Sequence, residues 1–518
     1  MEEDAKSKQK ESDLPCVLPK GWDRRRLLKA LAVAGAGSMA LGHGKAEMFL
    51  ELRPNLGEAP ASVHALLAVG NGRPVAMPLD FTGLSYESSQ LVHPAFFSAE
   101  NHALISMFRL LGDGGVLRIG GNMSEYTFWN STAVSTESPD GVEGPDPGHG
   151  TDHTYMITPK SIDDLNAFLK ATGWKLIYGL NLARSEPAEA VEEAAYVANK
   201  MGDRLLALQF GNEPDLFKHK NDPKDHWNYE EFVTRWRQFY EVVHPRVPHA
   251  AIAGPDTSYQ PEWMTRFAAE ERAKIALLTG HYYAGGPPTD PKMTSEFLLL
   301  ANPRQQDQVM KAVEIARNQG LPYRMSEGNT CWGGGKKAVS DTFASALWVL
   351  RLYMDLAVAG VTGVNLHGGG NGFYTPIAGS PKEGFTARPI YYGMLLAGQL
   401  AGAELLESHL NSADGTLIGH VAKKGGETLF LVQNHAAYKA RIVLKLPAGT
   451  GTSGHGKVWR LLAPELESTS GVTLAGAAVD AAGNWTPKTR EVASFHKGTA
   501  QLELPAYSAA LVRLGKYA

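Results

Sequence analysis

Along the middle of the chain, short apolar runs recur, and each stops at glycine, asparagine, a hydroxyl or a charged side chain. Eight can be read in order: PLDFTGLSYES, VLRIGGN, KLIYGLNL, LALQFGNEP, AIAGPDTS, IALLTGHYY, YRMSEGN and GVTGVNLHGGG. They are apolar throughout instead of alternating, which is the pattern of parallel strands buried on both faces. Helical spacing fills most of the gaps between them. SIDDLNAFLKAT predicts a helix with Ser161 as its N-cap and Asp164 three residues on, and DTFASALWVLRLYMDLAVAG predicts another that closes at Gly360. Eight such strands alternating with helices predict an α/β fold, a (β/α)8 TIM barrel, over residues 79–394.

From about residue 395 the pattern changes. LIGHVAKKG, TLFLVQNH, RIVLKLPAG, KVWRLLAP and AALVRLG are short strands separated by Gly, Asn and Asp turns, with no long helical pattern. They predict a C-terminal antiparallel β-sandwich over 395–518, with a segment at 47–78 partly joining it. The stretch STAVSTESPDGVEGPDPGHG (131–150) reads as a long loop after the second strand, on the face where a barrel builds its active site.

Composition narrows the function classes. The chain has 518 residues, of which 43% are hydrophobic and 20% charged, and a formal net charge of -4. That is a globular composition without the basic field that nucleic acid requires. The N-terminal DRRRLLKALAVAGAGSMALG resembles a twin-arginine export signal, with Arg24 and Arg25 as the pair. Its apolar part is too short and glycine-rich to span a bilayer, so residues 1–46 predict a leader, export to the periplasm or medium of a bacterium, and no membrane contact after removal. Of the two cysteines, Cys16 lies in this leader, and Cys331 is expected to be a small buried side chain without a disulfide.

On this strand count Glu213, in FGNEP, ends the fourth strand and Glu327, in RMSEGN, ends the seventh. Both then stand at the C-terminal mouth of one barrel. Two facing carboxylates are the minimum equipment for glycoside hydrolysis: one protonates the departing oxygen and the other attacks the anomeric carbon. Asn212, beside the first, can bond the sugar 2-hydroxyl. No metal-ligand spacing is present, and HGGGNG lacks a dinucleotide-binding unit around it, so neither metal nor cofactor is expected.

Glutamates on strands four and seven are the pattern of the retaining glycosidases of clan A. Within that clan the chain resembles glycoside hydrolase family 79, the β-glucuronidases and heparanase-like enzymes. The resemblance runs from about residue 75 to the C-terminus and rests on LRIGGNMSEY, LQFGNEPDLF, GHYY, YRMSEGN followed by WGGG, VNLHGGG, and LLAPELESTSGVTLAGAAV. It implies Glu213 as acid/base, Glu327 as nucleophile, Asn212 as the 2-hydroxyl partner and Tyr283 as the tyrosine that bonds the nucleophile. It further implies Glu87 and Asn122 as ligands of sugar hydroxyls, and Gly334 and Tyr374 as ligands of the substrate carboxylate.

Trp332 stands where the family has a tyrosine. Indole offers one N–H and no hydroxyl, so either the carboxylate contact is rebuilt or the tryptophan is a stacking wall. Lys218, Lys220 and Lys224 follow the acid/base and suit either an acidic leaving sugar or a solvated loop; His281 suits either orientation of a site residue or a core role. The implied activity is retaining hydrolysis of terminal β-linked glucuronic acid from an oligo- or polysaccharide. Its rivals are endo-β-glucuronidase action, a neutral sugar, and a non-catalytic carbohydrate-binding protein.

Overall fold

A computed structural model describes residues 63–93, 95–132, 154–219, 222–412, 415–449 and 451–515. The leader with Cys16, and most of the 131–150 loop, lie outside the described residues. Eight parallel strands close into a barrel: β1 (Thr82–Glu87), β2 (Val116–Gly120), β3 (Lys175–Leu180), β4 (Leu205–Phe210), β5 (Ile252–Thr257), β6 (Leu277–Gly285), β7 (Tyr323–Cys331) and β8 (Gly363–Gly368). These are the eight runs read from the sequence, and closure is made by β8 against β1, with Val364 opposite Thr82.

The helix after the 131–150 loop differs from expectation at its start. It spans Pro159–Thr172 and is capped by Thr158, with Ser161 returning its side chain to the cap as the other half of a capping box. Pro159 cannot donate a hydrogen bond, so it suits the first helical turn and moves the boundary three residues upstream. Asp164 instead pairs with Lys160 at 2.6 Å. The helix Phe343–Val358 ends at Ala359, and Gly360 follows with a φ of 85°, the left-handed conformation that terminates helices.

The barrel interior is filled in layers. Near the bottom, Val116, Ile177, Ala207, Ala253 and Leu277 form a small apolar cluster. Also near the N-terminal ends of the strands, buried Arg324 donates through Nε to Asn365 Oδ1 at 2.6 Å and through Nη1 to the Asp80 carbonyl at 3.0 Å. Asn365 in turn donates to the carbonyls of Leu84 and Val116, so one amide ties β8 to β1 and β2. Glycine is required opposite these groups: a Cβ at Gly83 would sit 2.7 Å from Asn365 Nδ2, and one at Gly363 would overlap Arg324 Nη1 at 1.9 Å.

Two further sheets follow the last barrel helix, Pro389–Gly398. The larger contains Leu417–Lys424, Glu427–Asn434, Ser508–Leu514 and Gly454–Leu462 as antiparallel neighbours. The smaller places Val63–Val69 between Ser408–Leu410 and Ala440–Lys445, with Thr499–Leu504 outside. Leu67, Ile442 and Leu502 of the smaller sheet share a core with Phe430, Val432, Val458 and Val512 of the larger. The alternate residues, Leu429, Leu431, Ala509 and Leu511, belong instead to the barrel's core cluster. TLFLVQNH is therefore apolar without alternation because its strand is buried on both faces. The same junction caps a helix: the N–H groups of Phe343 and Ala344 donate to the carbonyls of Ser468 and Leu466.

Removing the amide that ties the barrel floor should be costly. Asn365→Ala strands a buried guanidinium and two buried carbonyls, an expected loss of roughly 3 kcal/mol or more. Equilibrium denaturation in urea measures it; a midpoint unchanged from wild type would show that the amide ties nothing.

Candidate active site

β4 ends at Phe210, and three residues later the backbone of Glu213 turns into the left-handed region, with φ 48° and ψ 53°. That conformation disfavours a residue with a Cβ, by roughly 1 to 2 kcal/mol. It is held by two hydrogen bonds, from the Glu213 N–H to the Asp256 carbonyl at 2.9 Å and from the Leu216 N–H to the Glu213 carbonyl at 2.8 Å. Pro214, pre-set for a helical turn, starts the short 3-10 segment Pro214–Leu216. The Asp215 carboxylate accepts from the Ser258 N–H at 2.9 Å and its hydroxyl at 2.7 Å, which locks the loops after β4 and β5 together. The Glu213 side chain is thus aimed by its backbone.

Glu327 sits inside β7, which continues past it to Cys331, and its carboxylate is buried among cations. Arg118 donates to one oxygen at 2.7 Å, and the Tyr283 hydroxyl donates to the other at 2.8 Å. His367 Nδ1 lies 3.5 Å away and His281 Nδ1 3.9 Å away. Burial alone would raise the carboxyl pKa; the charges of His367, His281 and Arg118, with the Tyr283 hydroxyl, outweigh it and hold it down at about 2. Glu327 is ionised at any physiological pH.

Glu213 is driven the other way. Burial, helped by the negative charge of Glu327, raises its pKa, although His281 opposes the shift through a contact of 2.8 Å between Nδ1 and Oε1. His281 Nε2 faces Asp256 Oδ2 at 3.2 Å but outside hydrogen-bonding geometry, so that contact is Coulombic. Burial disfavours a charged ring at His281; Asp256 and Glu327 overcome it and raise its pKa well above the ordinary value. A carboxylate oxygen of Glu213 lies within 4.8 Å of one of Glu327. Two carboxyl groups, one holding its proton more firmly than usual and one kept ionised, face each other across this gap.

A cleft of about 540 Å³ opens over the pair, lined by Glu87, Asn122, Tyr283, Trp332, His367 and Tyr374 among others. Of the residues singled out from the sequence, Glu87, Asn122, Glu213, Tyr283, Glu327, Trp332 and Tyr374 therefore come together in one cavity. Asn212 lies beneath it, fully buried, its Oδ1 accepting from Arg118 at 2.7 Å and its Nδ2 donating to Asn122 at 3.1 Å. Gly333 lines the cleft beside Trp332, whereas Gly334 is buried behind it, its carbonyl accepting from the Tyr374 N–H at 3.3 Å. Lys218 is exposed and lines no part of the cleft; Lys220 and the Lys224 side chain lie outside the described residues. Cys331 is buried at the end of β7, as expected for an inert thiol.

The sequence reading passed over Arg118, Gln209, Asp256 and His367. Arg118 is fully buried and donates to Glu327, Asn212, Ser85, Gln209 and, at 2.5 Å, Asp256. Asp256 also accepts from Gln209 and from the Ser326 hydroxyl. The sign was present in RIGGN. A Cβ at Gly120 would lie 2.2 Å from the Arg118 guanidinium carbon, and one at Gly121 would lie 2.1 Å from a Glu87 oxygen. Paired glycines after an arginine make room for its head group and for the neighbouring carboxylate. Glu213, His281 and Glu327 also bring one potential metal ligand each within 4.8 Å of one another. A metal takes histidine neutral and carboxylates free, while here His281 is held as a cation and Glu327 already carries Arg118.

Comparison with known proteins agrees with this geometry. Residues 105–353 match the N-terminal domain of glycosyl hydrolase family 79. A curated relative from Aspergillus niger, named Beta-glucuronidase, is 24% identical over 370 residues, covering 64% of this chain and 65% of its own length. A Beta-glucuronidase from Neurospora crassa is 25% identical over 366 residues, covering 63% of each. The chain thus spans somewhat under two thirds of these relatives. Among solved structures, a 4-O-α-L-rhamnosyl-β-D-glucuronidase from Fusarium oxysporum shares the fold with a TM-score of 0.68 at 19% identity, covering 87% of this chain and 100% of that one. The closed barrel, the sheets beside it and the matched segment agree: residues 105–353 carry the N-terminal domain of glycosyl hydrolase family 79, and the chain is similar to proteins named Beta-glucuronidase.

Proposed function

We propose that this protein is a retaining β-glucuronidase that removes terminal β-linked glucuronic acid from a glycan. The observation that carries the reading is the separation of the two carboxylates. Retaining glycosidases hold their carboxyl groups roughly 5 to 5.5 Å apart, whereas inverting enzymes leave about 6.5 to 9.5 Å for a water between them. Oxygens within 4.8 Å of each other fit the first spacing. Two relatives are named Beta-glucuronidase, which supports the choice of sugar. Export remains part of the proposal on the strength of Arg24 and Arg25 alone.

In this reading Glu327, ionised and aimed by Arg118 and Tyr283, attacks the anomeric carbon. Glu213 gives its proton to the departing oxygen, and the leaving group exits on the β4 side, past Leu216. The glycosyl ester neutralises the Glu327 charge, which removes one cause of the raised Glu213 pKa. Glu213 is then free to take a proton from the incoming water, and the second displacement restores the β configuration.

Aryl β-glucuronide should be hydrolysed by the wild type, with the β anomer of glucuronic acid formed first, as followed by proton NMR. An α product would sink the double displacement. Glu213→Gln should lower kcat/KM by about 10²- to 10⁴-fold on substrates with poor leaving groups, and by less as the leaving group becomes more acidic and needs no proton. A loss independent of leaving group would remove Glu213 from the acid role.

The pH dependence of kcat/KM should be bell-shaped. Activity needs Glu327 ionised, so it fails as pH falls towards about 2; it needs Glu213 protonated, so it fails as pH rises through a carboxyl pKa lifted by burial. Tyr283→Phe deletes a donor to the ionised nucleophile and should move the acid limb upward, by about one pH unit. A limb that stays in place would mean that the hydroxyl does not stabilise the charge.

A further inference from the structure

A uronic acid brings a negative charge into a cleft that already faces the carboxylates of Glu87, Glu213 and Glu327. The surrounding charges offer nothing spare. The cationic and imidazole groups beneath the cleft are already engaged: Arg118 pairs with Asp256 and Glu327, His281 faces Asp256 at 3.2 Å, and His367 faces Glu87 at 3.2 Å. Trp332, on the turn after the nucleophile, supplies at most one neutral donor. An unpaired carboxylate in such a site is expensive, so something else in the wall has to receive it.

The segment between β6 and β7 contains an irregularity. A turn at Pro303–Gln305 runs into a π-helical turn, Gln306–Met310, before the regular helix Lys311–Gln319. Wide turns of this kind are uncommon and concentrate at functional sites. Arg304 and Gln308, four residues apart across it, both line the catalytic cleft together with Tyr283, Trp332 and Gly333. Arg304 is the single lysine or arginine among the described residues that line it.

Neither side chain has a hydrogen-bond or ion-pair partner among the described residues. The Arg304 guanidinium forms no hydrogen bond or ion pair with any described residue, while its backbone N–H donates to the Asn302 side chain at 3.0 Å. The Gln308 side chain also has no partner among the described residues, although the residue is only 8% exposed. Buried amides are nearly always hydrogen-bonded, so one that is open towards a cleft points to a ligand. The segment that carries the two is itself held. Asn302 Nδ2 donates to the Ala284 carbonyl at 2.7 Å, Gln305 donates to Asp355 at 3.1 Å, and Arg351 donates to the Leu299 carbonyl at 3.3 Å.

We infer that Arg304, with the Gln308 amide beside it, is the specificity-determining pair that receives the carboxylate of the sugar whose glycosidic bond is cut. The planar guanidinium takes a carboxylate through two parallel N–H groups, a geometry that neither tryptophan nor a neutral hydroxyl can supply. The inference rests on the β-glucuronidase reading and explains how this chain keeps a uronate pocket with Trp332 in place of a tyrosine.

The test is kinetic, with aryl β-glucuronide and aryl β-glucoside as paired substrates for the wild type, Arg304→Met, Arg304→Lys and Gln308→Leu. An aryl leaving group carries no anion, so a loss on these substrates isolates the sugar being transferred. The expected result is that Arg304→Met lowers the glucuronide-to-glucoside ratio of kcat/KM by about 10- to 100-fold, with Arg304→Lys intermediate and Gln308→Leu lower in the same direction. Arg304 is exposed, so unchanged thermal melting should accompany the loss. Equal loss on both substrates, or a loss confined to oligosaccharides with an acidic leaving sugar, would overturn the inference alone. Absence of glucuronide turnover by the wild type would remove the function reading and this inference together.

Discussion

The guanidinium of Arg118 is the contact on which the active-site end of the barrel depends. It rises from β2 with no exposure to solvent and reaches groups on β1 and β4, the Asn212 amide, and the carboxylates of Asp256 and Glu327. A buried charge is tolerated only when its partners repay its lost hydration, and here every side of the head group is engaged. The price is paid in shape, since Gly120 has to be a glycine for the head group to fit. In return the site gains a fixed positive charge under the nucleophile, in a medium where that charge is poorly screened.

From that charge the rest of the site follows in sequence. Glu327 is kept ionised, and Asp256 is kept ionised far below the usual carboxylate range because Arg118 and His281 outweigh its burial. Asp256 in turn supports the charge on His281, and its backbone carbonyl holds the Glu213 N–H. The same residue thus links the electrostatics of one glutamate to the backbone geometry of the other. Two identical side chains acquire opposite protonation habits from their surroundings, which is what acid and nucleophile roles require.

The opposite end of the barrel solves a different problem with similar means. Arg324 and Asn365 are buried there as well, but their hydrogen bonds go to carbonyl oxygens, with the Asp80 charge acting on Arg324 only at longer range. Burial lowers the Arg324 pKa to about 10, which still leaves it charged at neutral pH. Polar groups at the floor therefore serve strand closure, while polar groups at the mouth serve chemistry. The sheets beside the barrel share a core with the helices behind β7 and β8: Leu429, Leu431 and Leu511 belong to the same buried cluster as Leu347, Leu395 and Leu396.

By itself the sequence determined the strand count, the order of strands and helices, and the positions of Glu213 and Glu327, because burial on both faces writes apolar runs and a barrel has one mouth. It also placed Glu87 and Tyr283 at strand ends, and Asn122, Trp332 and Tyr374 just beyond strand ends, at that same mouth. Only the tertiary structure decided what those residues do to one another. Arg118, Asp256 and His367 lie within apolar strands and read as strand residues until the barrel closes and turns them inward. Asn212 was legible as a neighbour of the acid, yet the fold turned its side chain to Arg118 and Asn122 beneath the cleft. Arg304 and Gln308 left no motif at all, since an unpaired side chain at a π-turn is defined by what surrounds it in space. Periodicity records which face of a strand or helix is dry; charge balance among residues far apart in the chain is recorded only where they meet.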